Sequence, residues 1–117
     1  MRAVVIALAL MAAWPQFVVA QTAGGPTGNF FLPMCDAYFS SIYNTNAGMI
    51  LGYIRGSTDA FAVAGVDGLA YCSPNGVTTD QYTRVVCSFL KDKPNRTNEQ
   101  MGALTLDALI QAWPCKK

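Results

Sequence analysis

Histidine is missing altogether from this 117-residue chain. Without an imidazole there is no Ser-His-Asp or Cys-His arrangement and no imidazole general base. The four cysteines, Cys35, Cys72, Cys87 and Cys115, include no Cys-x-x-Cys pair. A zinc site needs clustered ligands, so that spacing argues against metal binding, and nothing in the chain calls for a cofactor. Charge of one sign is not in excess either: eight Lys and Arg face seven Asp and Glu. So balanced a chain carries no electrostatic footprint for nucleic acid or anionic lipid. The acids Asp36, Asp59, Asp67, Asp80, Asp92, Glu99 and Asp107 are spread along the sequence, with no two in a catalytic motif. The chain is not expected to be an enzyme.

Long apolar runs are scarce as well. The one that stands out is Ala3 to Ala13, preceded by Arg2 and followed by Pro15. It is too short for a span of about 20 residues. Val18-Val19-Ala20 then places small residues before Gln21. A charged start, an apolar stretch and such a site predict that residues 1–20 are a cleaved secretory signal peptide, leaving no membrane anchor. Seven basic and seven acidic residues remain after its removal. Residues 21–29, which include "QTAGGPTG", are expected to form a flexible lead-in to a domain over 30–117.

What is present is helical periodicity. Phe31, Met34, Cys35, Tyr38, Phe39 and Ile42 share one face of a first helix, from about Phe30 to Ile42. Pro33 is tolerable only in the first turn, which puts the start near Asn29 or Leu32. A second helix runs from Ala47 to about Val66, through Ile50, Leu51, Ile54, Thr58 and Phe61. Gly52 and Gly56 stand four apart on it and are expected to let another helix approach closely, offsetting about 1 kcal/mol each. Asp67-Gly68 is expected to end it. The third helix runs from Thr79 to about Lys91, opened by a capping box of Thr78 and Gln81. Tyr82, Val85, Val86, Phe89 and Leu90 form its stripe, with Cys87 at the border. A second capping box, Thr97 with Gln100, is expected to open the fourth helix, which ends at Trp113 before Pro114. No segment alternates as a strand would. The fold class expected is all-α: a small four-helix bundle stapled by disulfides.

The cysteines fit an oxidising compartment. Cys72 and Cys115 both lie outside helices and near a proline, in rigid turns well placed for stapling. A Cys72–Cys115 bridge is expected, contributing roughly 4 kcal/mol in the chain-entropy description. Cys35 and Cys87 lie within helices one and three. They are read as a second bridge, the alternative being two buried thiols that pack as small apolar groups. Asn95-Arg96-Thr97 matches a glycosylation sequon and is read as a chance match.

Several stretches together carry a resemblance. They are the cysteine on helix one, "GYIRG" from Gly52 to Gly56, "YCSPNGVTTDQ", "VVCSFL", the Pro94 loop and "ALTLDALIQAWPC". Over about Phe31 to Cys115 they resemble the Rap/Tai family of periplasmic immunity proteins, which guard bacteria against cell-wall amidases delivered by type VI secretion. That resemblance implies an all-helical periplasmic domain, usually a homodimer, that binds a toxin's cleft and blocks it. It also supports the Cys72–Cys115 pairing. The family often pairs the helix-one cysteine with one just before the Gly-Tyr-Ile-x-Gly segment. Met49 and Ile50 stand there in this chain, and Cys87 takes the partner's place. Polar loops at Asp67–Val77 and Lys91–Asn98 are the candidate contact surfaces, with Lys93, Asn95 and Arg96 as candidate partner-binding residues. The alternative function is a small helical periplasmic chaperone activated by acid, exposing apolar surface as its seven carboxylates protonate.

Overall fold

The computed structural model describes residues 24–40 and 44–116; the expected signal peptide, Ile42 and Tyr43 lie outside the described residues. Four helices follow in order: α1 Gly28–Phe39, α2 Thr45–Val63, α3 Thr79–Asp92 and α4 Met101–Ala112. α1 packs chiefly on α2, and α3 on α4 and α2. Among the described residues there are two isolated bridges and no strand. The all-α reading holds.

The buried faces are the stripes read from the 3.6-residue period. Phe31, Met34 and Cys35 from α1 meet Ile50 and Ile54 from α2, Val86 and Leu90 from α3, and Leu104 and Leu109 from α4. Cys87 departs from its expected border position. It is fully buried because it is bonded to Cys35, joining α1 to α3 across a Cα–Cα distance of 5.5 Å. Tyr71, between α2 and α3, is also fully buried, with its ring edge-on to Phe61. Among the described residues its hydroxyl has no hydrogen-bond partner. Burial, with Asp67 and Tyr82 nearby, pushes that hydroxyl up to about 12. Tyr71→Phe is therefore expected to raise stability by about 1 kcal/mol, since an unpaired buried hydroxyl costs desolvation with no bond in return. Urea denaturation checks this, and a clear loss of stability would show that the hydroxyl is paired.

Three boundaries differ from the sequence reading, one for a tertiary reason and two for local ones. α1 begins at Gly28, so Pro33 sits in the second turn rather than the first. A proline there deprives the Asn29 carbonyl of its helical partner. The early start is held from outside: Gly28 N–H donates to Glu99 O at 3.1 Å and Asn29 N–H to Thr97 O at 2.7 Å. α2 begins two residues early because the Asn44 side chain caps it, accepting from Ala47 N at 3.0 Å. It also ends early, at Gly65 rather than Asp67-Gly68. Gly65 takes φ 74°, its N–H bonds to Ala62 O, and Val66 N–H bonds to Phe61 O at 2.8 Å. That is a Schellman stop, and glycine supplies the left-handed residue without a Cβ clash.

The glycine expectation is also corrected. Gly52 and Gly56 are exposed, and a Cβ built on either would touch nothing within 4 Å. Among the described residues no helix approaches them, because the buried face of α2 is the one carrying Ile50 and Ile54. Gly28 is the glycine that a close approach requires. A Cβ there would lie 2.8 Å from the Leu104 side chain and 3.0 Å from the Thr97 carbonyl.

The capping box at Thr78 and Gln81 is present as expected. The second is not. Thr97 is buried and its hydroxyl donates to Pro94 O at 3.1 Å, while Gln100 makes no side-chain cap. α4 opens at Met101, whose N–H is taken by Pro26 O at 2.8 Å. The segment before α1 thus supplies the cap that the local sequence does not.

Candidate partner-binding loops

The loop over 93–100 joins α3 to α4 and is held from both sides. On its own side, Arg96 N–H donates to Lys93 O and Glu99 N–H to Arg96 O, each at 2.9 Å. The Arg96 guanidinium then forks onto Glu99, with Nε to Oε1 at 2.8 Å and Nη2 to Oε2 at 2.7 Å. Nη2 also reaches Asp107 on α4 at 2.5 Å. The same guanidinium lies over the Phe89 ring, 5.6 Å from its centroid. Hydrogen bonding from Arg96 holds the Glu99 carboxyl below the usual carboxylate range, with desolvation opposing it. The two acids in turn raise the Arg96 guanidinium further above its already high value. From the opposite side come the bonds to Pro26, Gly28 and Asn29. Residues 26–29 of the expected lead-in are therefore tied into the domain.

What this loop turns outward is polar. Pro94, Asn95 and Asn98 are exposed and Lys93 is half-buried. Of the three candidate contacts, Asn95 faces solvent and Lys93 partly does. Arg96 is spent internally, as the clamp. Glu99 and Asp107 were missed by sequence reasoning. Glu99 is three residues from Arg96 and could have been paired with it by spacing, but Asp107 comes into reach only through the fold.

The loop over 64–78 joins α2 to α3 and is built differently. Asp67 accepts from Ser73 Oγ at 2.7 Å and from Ser73 N–H at 3.3 Å, and the Tyr82 hydroxyl donates to Ser73 Oγ at 2.8 Å. Cys72 bonds to Cys115 with Cα atoms 4.8 Å apart, and its N–H donates to Trp113 O at 2.8 Å. Trp113 meets Tyr82 edge-on at 5.3 Å. The C-terminal end of α4 is thereby stapled to the turn before α3. Leu69 projects from this loop, 81 % exposed.

The remaining acids are dispersed. Asp36 pairs with Lys91 at 2.7 Å, Asp59 with Arg55 at 2.9 Å and Asp80 with Arg84 at 2.8 Å. Tyr38 also donates to Asp80. Only Glu99 and Asp107 converge, and the Arg96 guanidinium stands between them, bonded to both. Among the described residues no cluster of His, Cys, Asp and Glu could hold a metal, and no helix is long and apolar enough to cross a membrane.

A family model described as Rap1a immunity proteins matches residues 27–115. The chain belongs to the Rap1a immunity protein family. The match runs from the start of α1 to the second cysteine of the Cys72–Cys115 staple, so both loops and all four helices lie within the Rap1a domain. Comparison with curated proteins and with solved structures finds no match. Membership makes this an immunity protein whose partner is a protein toxin, in a family that is generally non-enzymatic and typically exported.

Proposed function

We propose that this Rap1a protein is exported by a cleaved signal peptide over 1–20 and guards the periplasm against a peptidoglycan amidase delivered by type VI secretion. The observation that carries this reading is the α3–α4 loop, polar outside and clamped from both sides. A loop already held in one shape loses little conformational entropy when it enters a cleft, so more of its contact energy appears as affinity. Inhibition is steric. Lys93 and Asn95 meet the enzyme at the mouth of its cleft, Arg96 holds their backbone in place, and the cell-wall substrate is denied entry. An interface of about 1,600 Å² in total suffices for such a complex. The protein acts as a homodimer.

The test is a titration of the amidase effector with the oxidised protein, read as peptidoglycan hydrolysis. Equimolar inhibition is expected. Lys93→Glu with Asn95→Arg is expected to weaken it by about tenfold or more, as for residues central to an interface. Undiminished inhibition by that double variant would remove the α3–α4 loop from the mechanism. Failure to inhibit any such amidase would overturn the amidase assignment.

A further inference from the structure

The two disulfides interlock. Taken in chain order, the first cysteine is bonded to the third and the second to the fourth, Cys35 to Cys87 and Cys72 to Cys115. No cysteine lies between Cys35 and Cys72. A chain that emerges N-terminus first into an oxidising compartment therefore presents these two together, with neither native partner yet available. The fold gives them no protection at that stage. Cys35 is fully buried in a core that includes Val86 and Leu90 of α3 and Leu104 and Leu109 of α4, all of which emerge after Cys72. α1 has 12 residues and is interrupted by Pro33, too short and too broken to hold a helix without that packing. An oxidant acting in order of emergence makes Cys35–Cys72 first and leaves Cys87 to pair with Cys115. Neither bond exists in the folded chain, where all four sulfurs are committed otherwise. With four cysteines bonded, the misbridged chain also holds no thiolate of its own with which to begin an exchange.

We propose that this protein is a client of a thiol–disulfide isomerase, which exchanges the consecutive pairing for the interlocked one. The inference rests on the reading above for export alone. The isomerase thiolate attacks Cys72 Sγ of the Cys35–Cys72 bond, forming a mixed disulfide and releasing Cys35 as a thiolate. That thiolate attacks Cys87 Sγ of the Cys87–Cys115 bond, closing Cys35–Cys87 and releasing the Cys115 thiolate. Cys115 then attacks Cys72 Sγ, closing Cys72–Cys115 and returning the isomerase thiolate. Two protein disulfides enter and two leave, so no oxidant or reductant is consumed. The sequence around Cys115 suits its part. Lys116 and Lys117 follow it, and their charge favours its thiolate, first as leaving group and then as nucleophile. Burial gives the exchange its direction. Once Cys35–Cys87 is sealed in the core no thiolate can reach it, whereas Cys72 stays exposed to the last step.

Pulse labelling of the full chain in a bacterium, with and without its periplasmic disulfide isomerase, tests the proposal. Mass spectrometry of unreduced peptides reads the pairings. With the isomerase, Cys35–Cys72 is expected to appear first and give way to the interlocked pair. Without it, native pairing is expected to slow about tenfold or more, since uncatalysed rearrangement takes minutes to hours. Cys72→Ala with Cys115→Ala leaves Cys35 no wrong partner. Cys35–Cys87 is then expected to form at the same rate in both strains, and the linkage is read whether or not that variant is stable. Native pairing as fast without the isomerase, no Cys35–Cys72 at any time, or isomerase dependence that persists in the double variant would each overturn the proposal. Four free thiols in both strains would overturn the export reading and this inference with it. Amidase inhibition by the oxidised protein is read separately.

Discussion

Alanine at both Cys35 and Cys87 is expected to lower the unfolding free energy by about 4 kcal/mol in the chain-entropy description, with a further cavity cost. The bridge closes a sequence separation of 52 and both residues are fully buried. Its loss frees the denatured chain and also leaves a void where α1 meets α3. α1 is the helix least able to bear it, because Pro33 interrupts its internal bonding. Small domains have a total stability of roughly 5–15 kcal/mol, so the double variant is expected to be partly unfolded at 37 °C. Denaturant unfolding followed by circular dichroism checks this. A change under about 1 kcal/mol would mean that packing, not the bond, holds α1 to α3. Alanine at Cys72 and Cys115 removes a staple of similar separation, 43, but Cys72 is exposed. The entropic loss is expected there without the cavity.

Arg96→Ala is expected to release the α3–α4 loop. Its guanidinium makes three hydrogen bonds to two carboxylates and covers Phe89, and no neighbouring side chain duplicates that fork. Arg96→Lys is not expected to rescue it, because an ammonium cannot bond bidentately to Glu99 while also reaching Asp107. The direct readout is hydrogen exchange at Gly28 and Asn29, whose N–H groups bond to carbonyls of this loop. Their protection is expected to fall, and inhibition of the toxin to weaken by about tenfold or more. Amides as slow in the variant as in the wild type would show that Arg96 is not the clamp.

The same clamp has a pH dependence whose sign follows from Glu99. Its carboxyl titrates lower in the folded protein than a glutamate ordinarily does, about 4.3. The unfolded chain therefore takes up the proton first, and the clamp's contribution is complete above that ordinary value. It is lost as pH falls through the lowered one. Acid is expected to loosen the wild-type loop as Arg96→Ala does at neutral pH, and Glu99→Gln to remove the dependence.

The four helices were legible because their signals are local. Apolar residues three and four apart mark a face, and Thr78 with Gln81 closes a cap within one turn. The Cys72–Cys115 pairing was readable from chain grammar, while Cys35–Cys87 was only favoured over two buried thiols and was decided by the structure. Two of the misread boundaries share one cause. The start of α1 and the start of α4 are held by each other, Gly28 to Glu99 and Met101 to Pro26, and no window of a few residues contains both partners. The false capping box at Thr97 failed for the same reason: the helix had a better cap from a distant strand of chain. Gly65 was a local signal, overlooked beside Asp67-Gly68, which also resembled a stop.

At the site, the polar character of the α3–α4 loop and the exposure of Asn95 could be read from composition. The pairing of Arg96 with α4 could not, since its second acid, Asp107, lies a turn and a half into that helix. The outward turn of Gly52 and Gly56 could not either, because a glycine's use depends on what stands opposite it. By itself the sequence determined the helices, most of their buried faces and the grammar of the Cys72–Cys115 staple, which follow from period and spacing. Only the tertiary structure decided which loop is tied down from both sides, which charge is paired within the molecule and which helix face is left open. Those depend on contacts between residues far apart in the chain, and such contacts exist only after the helices have packed.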